Sequence, residues 1–588
     1  PGAQQAAALL GALDAGGHVV CFGPGDSGER ARAMLTDLQP ACLVVDADPA
    51  ADSLAAWWLA EGRVLDLSRL PGQLANPAAS PEAHPADLDG LAYVTHTSGS
   101  TGKPKAIAMS HASLAQFVTW MADQCEIAPG SRVAQWAAPG YDASLVEIFM
   151  TLCAGATLCP APTAIRAHPE KILDWLVEER ITLFQTVPSF ARELHRQILR
   201  RGRAGSLRGL RHLLLAGESL PADLANQLRD TFSSTRLVNL YGSTESILAS
   251  WHEVTGPEHG RTPIGRPIPG RQILLLDDQD RPCPPGLVGN VVVRSPYLAA
   301  GYLNLPDAQQ SAFQPVAGLR TYGVGPGRWY RTGDLGRRRA DGLLEFHGRR
   351  DLQIKFYGTR LELTEVEAVL AAHPAVRECA VLASADRDGL TTRLTAYVAP
   401  RDPTADGAAL GDGSVSGDGA ELEAVLRRQL RSRFGAALLP VSFRTVRQLP
   451  RNAGGKIDRG ALTRPHRVDV GTRELSGEEH VVAGIWQEVL SGPAGARPAA
   501  KPAVLQGEAR RIGPDDSFFS VGGHSVLIPV LLHRVRLRFG IQIPIRDFMV
   551  NPTVAGVAGV LARRQAAAEQ ALVIGPSGRE VADSFGEP

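Results

Sequence analysis

The stretch Tyr93–His111, "YVTHTSGSTGKPKAIAMSH", joins a strand-like run to a turn rich in glycine, hydroxyl groups and lysine. Glycines let successive backbone N–H groups point at one anion, while hydroxyls add donors and lysines add positive charge. The spacing GxxxxGK[ST] of a P-loop is absent. A flexible surface loop is the alternative, but this composition after a buried-type strand favours phosphate binding. The turn consists of Thr97, Ser98, Gly99, Ser100, Thr101, Gly102, Lys103, Pro104 and Lys105.

Helical patterns alternate with short strand-like runs on both sides of this turn. Before it, "AQQAAALLGALDA" and "ERARAMLTDL" have helical periodicity, and "HVVCF" and "ACLVVD" are typical of strands. This alternation predicts βαβ units and a mostly parallel sheet, and therefore an α/β fold. From about Arg261 the pattern changes to strand pairs separated by Pro/Gly turns, which predicts a β-rich subdomain.

Further changes along the chain predict a multidomain α/β protein. We expect a large core over 1–350 with a truncated N-terminal edge, and a small mobile α+β subdomain over 351–462. A linker over 463–475, a helical domain over 476–565 and a disordered tail over 566–588 would follow. Capping boxes are predicted where Ser or Thr precedes Glu by three residues, at Thr364–Glu367 and Ser476–Glu479.

The overall composition limits the possible partners and location. Lys+Arg and Asp+Glu both number 61, so net charge gives no argument for binding nucleic acid or acidic membranes. No apolar run approaches 20 residues, so we expect no membrane span. The 7 cysteines are scattered without CxxC spacing, which indicates reduced thiols in the cytoplasm.

Five motifs in order resemble those of the acyl-adenylate-forming superfamily, which includes acyl-CoA synthetases and the adenylation domains of nonribosomal peptide synthetases. After the glycine-rich turn come "NLYGSTES", "YRTGDLG", "GRRDLQIKFYGTRLELTEVE" and "LPRNAGGKIDR". The resemblance covers nearly the whole chain. Each motif alone has an ordinary structural explanation, such as a turn for "TGD", but their joint order favours the family.

The resemblance implies that a carboxylate attacks the α-phosphate of ATP, with pyrophosphate leaving and cations and oriented dipoles stabilising the charge. Catalytic roles would fall to Lys456, Lys355, Thr244 and Glu245, of which Glu245 would bind Mg²⁺. Tyr241 would stack on adenine, Asp334 would bind the ribose hydroxyls, and Arg349 would assist. Ser98 to Lys105 would hold the β- and γ-phosphates. The remaining implied nucleotide contacts are Thr97, Gly217, Asn239 and Gly242.

The resemblance also implies a conformational switch. The small subdomain would rotate about a hinge at Asp351 after the adenylate forms. The loop containing Lys355 and Gly358 would then replace Lys456 at the active site and shape a channel for a thiol.

The motif "DSFFSVGGHSVL", Asp516–Leu527, presents Ser525 at the start of an apolar, helix-like run. It resembles the attachment site of peptidyl carrier domains, in which a separate transferase joins 4′-phosphopantetheine to the serine. A helix N-terminus favours such an anion. A simple helix cap is the alternative, and a hydrolase nucleophile is disfavoured because GGHSV does not fit G-x-S-x-G. Because this motif follows a segment that resembles an adenylation domain, attachment of 4′-phosphopantetheine, here called the arm, is favoured.

The substrate is predicted from "GYDASLVEIF", where Asp142 stands at the position that amino-acid-activating members keep for the α-ammonium group. An aspartate that caps the following helix is the alternative. The implied pocket is mostly small or aliphatic, with Gln185 as its neutral polar member, and favours an apolar, uncharged amino acid. Its residues are Tyr141, Asp142, Ala143, Val146, Gln185, Leu214, Ala216, Leu240, Leu248, Ala249 and Lys456.

The predicted function is therefore a loading module of nonribosomal peptide biosynthesis, which activates an amino acid with ATP and transfers it to the arm on Ser525. A phosphopantetheinyl transferase and neighbouring condensation or other synthetase modules are the expected partners. An acyl-CoA synthetase-like ligase for a non-amino carboxylic acid and a noncatalytic carrier or docking module are the alternatives.

Overall fold

The computed structural model describes most of the chain and divides it into two compact units. The first consists of Pro1–Thr392 and Leu426–Leu439, and the second of Arg393–Val425 and Pro440–Pro588. The described residues are 2–23, 28–46, 53–58, 62–67, 87–97, 104–202, 207–303, 305, 310–316, 319, 328–350, 353–356, 359–385, 390–401, 417–434, 441–451, 457–463, 475–491, 512–514, 518, 527–544, 547–548 and 552–573.

Helices and strands alternate in the first part of the chain, and strands predominate from residue 250 to 362. The described helices are α1 Ala3–Asp14, α2 Gly28–Leu38, α3 Ser53–Trp58, α4 His111–Gln124, α5 Asp142–Cys153, α6 Pro169–Glu178, α7 Pro188–Arg200, α8 Ala222–Thr231, α9 Leu363–Ala371, α10 Gly417–Phe434, α11 Arg459–Thr463, α12 Gly477–Ser491, α13 Ile528–Phe539 and α14 Val554–Val573. The described strands are β1 Val19–Val20, β2 Cys42–Val45, β3 Arg63–Asp66, β4 Leu91–Thr97, β5 Lys105–Ser110, β6 Arg132–Gln135, β7 Thr157–Pro160, β8 Leu183–Thr186, β9 His212–Leu215, β10 Arg236–Tyr241, β11 Ser250–Glu253, β12 Arg266–Pro267, β13 Gln272–Leu276, β14 Val288–Arg294, β15 Tyr302–Leu303, β16 Trp329–Arg338, β17 Leu344–Arg349, β18 Gln353–Phe356, β19 Thr359–Glu362, β20 Val376–Ala385, β21 Thr391–Pro400 and β22 Val441–Thr445.

The largest described sheet has seven strands in the order β12-β11-β10-β9-β8-β6-β7. Strands β10, β9, β8, β6 and β7 pair in parallel, whereas β11 and β12 add antiparallel pairs at one edge. The central strands are almost continuously buried, as expected for a sheet covered on both faces. The predicted α/β architecture with a mostly parallel sheet is therefore confirmed.

The glycine-rich turn lies between the antiparallel strands β4 and β5, which belong to a four-stranded sheet in the order β1-β4-β5-β15. Strand β1 pairs with β4 in parallel, and the short strand β15 pairs with β5 in antiparallel orientation. Thr97 ends β4 and Lys105 begins β5. The two ends of the turn are thus fixed by sheet hydrogen bonds, although its centre lies outside the described residues.

The predicted change to β-rich structure after Arg261 is also confirmed. Strands β13, β14, β16 and β17 form an antiparallel four-stranded sheet in that order. Its buried side chains, which include Ile273, Leu275, Val291 and Tyr330, form one apolar cluster with Tyr241 of the parallel sheet. This packing brings the end of β10 close to the middle of β16, where the candidate site lies.

The region after β17 consists of a two-stranded hairpin, β18–β19, followed directly by α9. The capping box predicted at Thr364–Glu367 is wrong, because α9 begins one residue earlier at Leu363 and its N-cap is Glu362. Thr364 therefore lies inside the helix. The Glu367 carboxylate instead accepts a hydrogen bond from the backbone N–H of Val381 at 2.7 Å.

In the second unit, strand β21 pairs in parallel with β22, and α12, α13 and α14 form a small helical core. The capping box at Ser476–Glu479 is confirmed: the Ser476 N–H donates to Glu479 Oε2 at 2.8 Å, and the Glu479 N–H donates to Ser476 Oγ at 3.4 Å. Trp486 lies edge-on to Phe518, which lies edge-on to Phe548, and all three rings are buried.

The last described helix corrects one predicted limit. Helix α14 continues to Val573 and includes the first eight residues of the tail predicted over 566–588. The sequence there, "AAAEQALV", is rich in residues with high helix propensity, which explains the extension. The other domain limits remain predictions. Within the described part of the chain, no helix combines the length and the apolar character needed to cross a membrane.

Candidate active site

A buried carboxylate, Asp334, lies where β16 passes the end of β10. The Tyr241 hydroxyl donates to Asp334 Oδ2 at 2.6 Å, and the Arg349 guanidinium forms an ion pair with Oδ1. Arg349 is the register partner of Asp334 on β17 and also donates to the Thr332 carbonyl at 2.9 Å. Three elements therefore hold one carboxylate rigidly, as recognition of a polyhydroxyl ligand requires.

A second buried carboxylate, Glu245, lies in the loop after β10 and is 0% exposed. One Arg360 nitrogen on β19 donates to Glu245 Oε1 at 2.9 Å and to Oε2 at 2.7 Å, and the Tyr302 hydroxyl donates to Oε1 at 3.0 Å. Burial alone would raise the pKa of Glu245, but the charge and hydrogen bonds of Arg360 outweigh it and lower the pKa. Glu245 is therefore an ionised carboxylate that requires a cation beside it.

The loop that carries Glu245 folds back tightly on itself. A Cβ atom at Gly242 would lie 2.6 Å from Leu248 Cα, so only glycine fits at this crossing. Ile247 has φ 60° and ψ −65°, and the Leu248 N–H donates to the Ser246 carbonyl at 2.7 Å, which is a strained γ-turn. This turn places Thr244 and Glu245 on one side of the crossing, and Leu248 on the other.

Lys355 of β18 extends into the same region. Its Nζ donates to the Gly242 carbonyl at 3.4 Å and lies 6.0 Å from the centroid of the Tyr241 ring. Burial lowers the pKa of Lys355, and the neighbouring Asp334 partly offsets this effect while Arg360 adds to it. The hairpin β18–β19 thus brings two cations, Lys355 and Arg360, to the two buried carboxylates.

Asp142 is the first residue of α5, after the N-cap Tyr141, and accepts a hydrogen bond from the Ala143 N–H at 2.9 Å. Asp142 thus occupies the first helical position and its side chain still binds a backbone N–H of the first turn, so the alternative of a helix-capping aspartate stays open. Burial raises the pKa of Asp142 to about 6; the charge of Glu245 also raises it, and that of Lys355 lowers it. Asp142 thus shares the electrostatic environment of Glu245 and Lys355 but lacks a strong ion pair of its own among the described residues.

Several residues predicted to line the substrate pocket pack close to one another in the core. Val146, Leu214, Leu240 and Leu248 belong to one apolar cluster, against which Ala216 also packs. Gln185 on β8 lies beside Leu214 of β9 in the sheet register, and Ala249 belongs to the neighbouring cluster around Tyr241. Tyr141 is 42% exposed.

Other predicted nucleotide contacts lie around these groups. Gly217, with φ 84°, follows β9, and the Asn239 amide within β10 donates to the Pro263 carbonyl at 2.8 Å. Thr97 is buried at the end of β4, and its hydroxyl has no hydrogen-bond partner within the described contacts. Several predicted residues lie outside the described part of the chain, namely Ser98, Gly99, Ser100, Thr101, Gly102, Asp351, Gly358, Lys456 and Ser525.

The sequence analysis missed three residues at the site: Arg360, Tyr302 and Glu218. Arg360 stands in the quoted motif "GTRLEL", yet nothing local indicates that it reaches Glu245, which lies 115 residues away. Glu218 accepts hydrogen bonds from the Ser189 N–H at 2.8 Å and the Ser189 hydroxyl at 3.0 Å at the start of α7. Its charge also raises the pKa of Lys355.

The described groups fit Mg²⁺ and a nucleotide. Magnesium favours oxygen ligands and is commonly held by one or two carboxylates together with substrate phosphates. Glu245 offers an ionised, buried carboxylate, and among the described residues no cluster of three or more His, Cys, Asp or Glu would form a complete metal site without substrate. The Thr97 hydroxyl, which has no partner among the described residues, lies at the start of the glycine-rich turn, and Asp334 offers oxygens for hydroxyl groups.

Three family models match the chain in succession. The model for AMP-binding enzymes matches residues 1–303, that for the AMP-binding enzyme C-terminal domain matches 365–456, and that for the phosphopantetheine attachment site matches 503–561. The motif order found in the sequence therefore corresponds to the order of these domains.

Similar proteins agree with these matches. The chain is 35% identical over 566 residues to the probable non-canonical nonribosomal peptide synthetase CymA of Salinispora arenicola, covering 94% of this chain and 7% of CymA. It is 36% identical over 504 residues to the phosphinothricin tripeptide synthetase PhsC of Streptomyces viridochromogenes, covering 84% of this chain and 42% of PhsC. The chain thus spans less than half the length of these curated relatives.

A solved structure supports the fold along nearly the whole chain. It is a holo NRPS protein containing adenylation and PCP domains, bound to a vinylsulfonamide inhibitor. The similarity has a TM-score of 0.69 at 24% identity and covers 95% of this chain and 86% of that one.

Proposed function

Because the chain belongs to the AMP-binding enzyme family and continues into that family's C-terminal domain and a phosphopantetheine attachment site, we propose that it activates an amino acid as its adenylate and loads it onto its own arm. The family makes the chain an adenylate-forming ligase of the nonribosomal peptide synthetase type, with ATP, Mg²⁺ and 4′-phosphopantetheine as cofactors. The amino acid and the loading role are the proposed part.

The observation that carries the proposal is the group of opposite charges around Lys355. The charge of Lys355 lowers the pKa of Asp142, and the charge of Asp334 raises the pKa of Lys355. Asp142 suits an ammonium group and Asp334 suits sugar hydroxyls, so one lysine interacts electrostatically with two carboxylates of different proposed roles. The reacting substrate carboxylate and ATP phosphate are both anions. Buried cations near these groups would lower the barrier to their approach.

Asp142 favours an amino acid over other carboxylic acids. A partly buried aspartate without a strong ion pair among the described contacts benefits from a cationic partner, and an α-ammonium group supplies one. The apolar cluster of Val146, Leu214, Leu240 and Leu248 supports an apolar, uncharged side chain. Gln185 offers a single polar contact at this wall.

The remaining roles are proposed by resemblance. Ser98 to Lys105 would hold the outer phosphates, Thr244 would contact the α-phosphate, and Lys456 would neutralise the charge that develops during attack. Movement about Asp351 would then exchange Lys456 for the segment containing Lys355 and Gly358. The contacts of Lys355 and Arg360 at the site support a state in which this exchange has taken place.

Ser525 would carry the arm, whose thiol captures the activated acyl group and releases AMP. Tethering raises the effective concentration of the thiol at the site without any new contact. A phosphopantetheinyl transferase and further synthetase modules are the proposed partners.

ATP–pyrophosphate exchange measured with a panel of amino acids tests the activation step. We expect the highest exchange with an apolar, uncharged amino acid. Best exchange with Asp, Glu, Lys or Arg would contradict the pocket assignment, and exchange only with acids that lack an ammonium group would favour the acyl-CoA synthetase alternative. If the protein accepts the arm on Ser525 but shows no exchange with any acid, the alternative of a noncatalytic carrier module is favoured.

A further inference from the structure

Tyr302 contacts the buried Glu245 carboxylate from an element other than the hairpin. Its hydroxyl donates to Glu245 Oε1 at 3.0 Å, and the tyrosine is 6% exposed. The preceding segment fixes the glutamate backbone as well, because the Ala299 N–H donates to the Glu245 carbonyl at 2.9 Å. Residues 299–302 thus hold both the main chain and the side chain of Glu245.

The position of Tyr302 is itself fixed by contacts that do not involve Glu245. Gln310 Oε1 accepts from the Tyr302 N–H at 3.0 Å, and Gln310 Nε2 donates to the Tyr302 carbonyl at 2.6 Å. The Phe313 ring lies edge-on to the Tyr302 ring, with 5.1 Å between centroids. Since backbone and ring are both held, the hydroxyl is a fixed donor that orients the carboxylate.

The Tyr302 ring also contacts Lys105, the last residue of the glycine-rich turn. Strand β15 pairs with β5, and Lys105, the first residue of β5, places its Nζ 5.2 Å from the Tyr302 ring centroid. This is cation–π geometry. The face of one tyrosine therefore contacts Lys105 while its edge holds Glu245, so a lysine and a carboxylate proposed for nucleotide binding share a rigid support.

The two donors to Glu245 come from different elements. Arg360 belongs to the hairpin β18–β19 and contacts both carboxylate oxygens, whereas Tyr302 belongs to the core and contacts only Oε1. If Arg360 moves away with its hairpin, Oε2 is the oxygen left for another cation.

We propose that Tyr302 is a positioning residue that fixes Glu245 and Lys105 as a pair for Mg²⁺-bound ATP. This inference rests on the proposed function. According to this inference, Tyr302 of the core keeps the Glu245 carboxylate oriented when Arg360 of the hairpin no longer contacts it.

The test is Tyr302→Phe in the full chain, which removes the hydroxyl and keeps the ring beside Lys105 and Phe313. A hydrogen bond to a charged group contributes about 1.5–3 kcal/mol, so we expect the Mg²⁺ concentration for half-maximal ATP binding to rise about tenfold or more. Calorimetric binding of ATP at varied Mg²⁺ gives this value without turnover. The KM for the amino acid should stay within about twofold.

Tyr297→Phe is the matched control, because the Tyr297 ring also lies beside a cation, with Arg271 at 5.2 Å from its centroid, and no described hydrogen bond joins its hydroxyl to Glu245. We expect wild-type Mg²⁺ dependence from this variant. Unchanged Mg²⁺ dependence in Tyr302→Phe, or an equal loss of amino-acid and Mg²⁺-bound ATP affinity, would overturn the inference and leave the proposed function intact. Wild-type protein that binds no ATP with Mg²⁺ would overturn both.

Discussion

Replacing Asp142 with asparagine should weaken substrate binding and strengthen the fold at the same time. The amide has nearly the shape of the carboxylate but carries no charge. The α-ammonium group of the proposed amino-acid substrate would then lose its ionic partner. In the absence of substrate, however, the variant no longer holds a charged group whose burial is unfavourable.

The loss of affinity follows from the burial of Asp142. Removing one member of a buried ion pair costs about 3–5 kcal/mol, and the value is lower for a partly exposed pair. Asp142 is partly buried, so we take about 3 kcal/mol, which corresponds to a rise of about a hundredfold in the KM for the amino acid. The KM for ATP should change little.

The gain in stability depends on pH. Burial raises the pKa of Asp142 from 3.8 to about 6, so between these values the folded state holds a proton that the unfolded state has released. The stability of the wild type therefore falls as pH rises through this window, by at most about 3 kcal/mol for two pKa units. Asp142→Asn lacks this slope and should be more stable than the wild type at pH 8 and equal to it below pH 4.

Two assays check these values: pyrophosphate exchange with amino acid and ATP varied separately, and denaturant unfolding at pH 4 and pH 8. Asp223→Asn is the control, because Asp223 is an exposed acid in the first turn of α8. A KM for the amino acid within about threefold of the wild type would refute the ammonium contact. Equal stability of the two proteins at pH 8 would refute the cost assigned to the buried charge.

Three further outcomes are expected. Glu147 is buried, and burial raises its pKa from 4.5 to about 8, so Glu147→Gln should gain stability relative to the wild type as pH rises between these two values, measured by denaturant unfolding. Gly242→Ala places a Cβ 2.6 Å from Leu248 Cα and should reduce pyrophosphate exchange at least about tenfold, whereas Gly256→Ala, with nothing within 4 Å, should not. Lys456→Ala should abolish adenylate formation and leave thiol transfer from preformed adenylate, and equal loss of both half-reactions would contradict that separation.

Much of the fold could be predicted because its signals are local. Alternating helical and strand-like runs indicated the parallel sheet, and Pro/Gly turns indicated the antiparallel sheet that follows. The helix starting at Ser476 was predicted from a capping box that the structure confirms. At Thr364 the same pattern failed, because Leu363 already packs in the core and starts the helix one residue earlier.

The contacts within the site could not be predicted in the same way. Glu245 was identified by its motif, but its partners Tyr302 and Arg360 lie 57 and 115 residues away and meet it only through sheet packing. The positive φ of Ile247 could not be predicted either, because β-branched residues rarely adopt that conformation. Residue types could thus be predicted from the motifs, whereas their pairing depends on the tertiary fold.

Intact-mass analysis of the carrier part tests the central claim most directly. Wild-type protein and Ser525→Ala are each treated with a phosphopantetheinyl transferase and coenzyme A, and then with ATP, Mg²⁺ and the amino acid that gives the highest exchange. We predict that the wild type gains the mass of the arm and then the acyl mass, whereas Ser525→Ala gains neither and keeps full exchange. An arm-bearing wild type that activates the amino acid but never gains its mass would contradict the account.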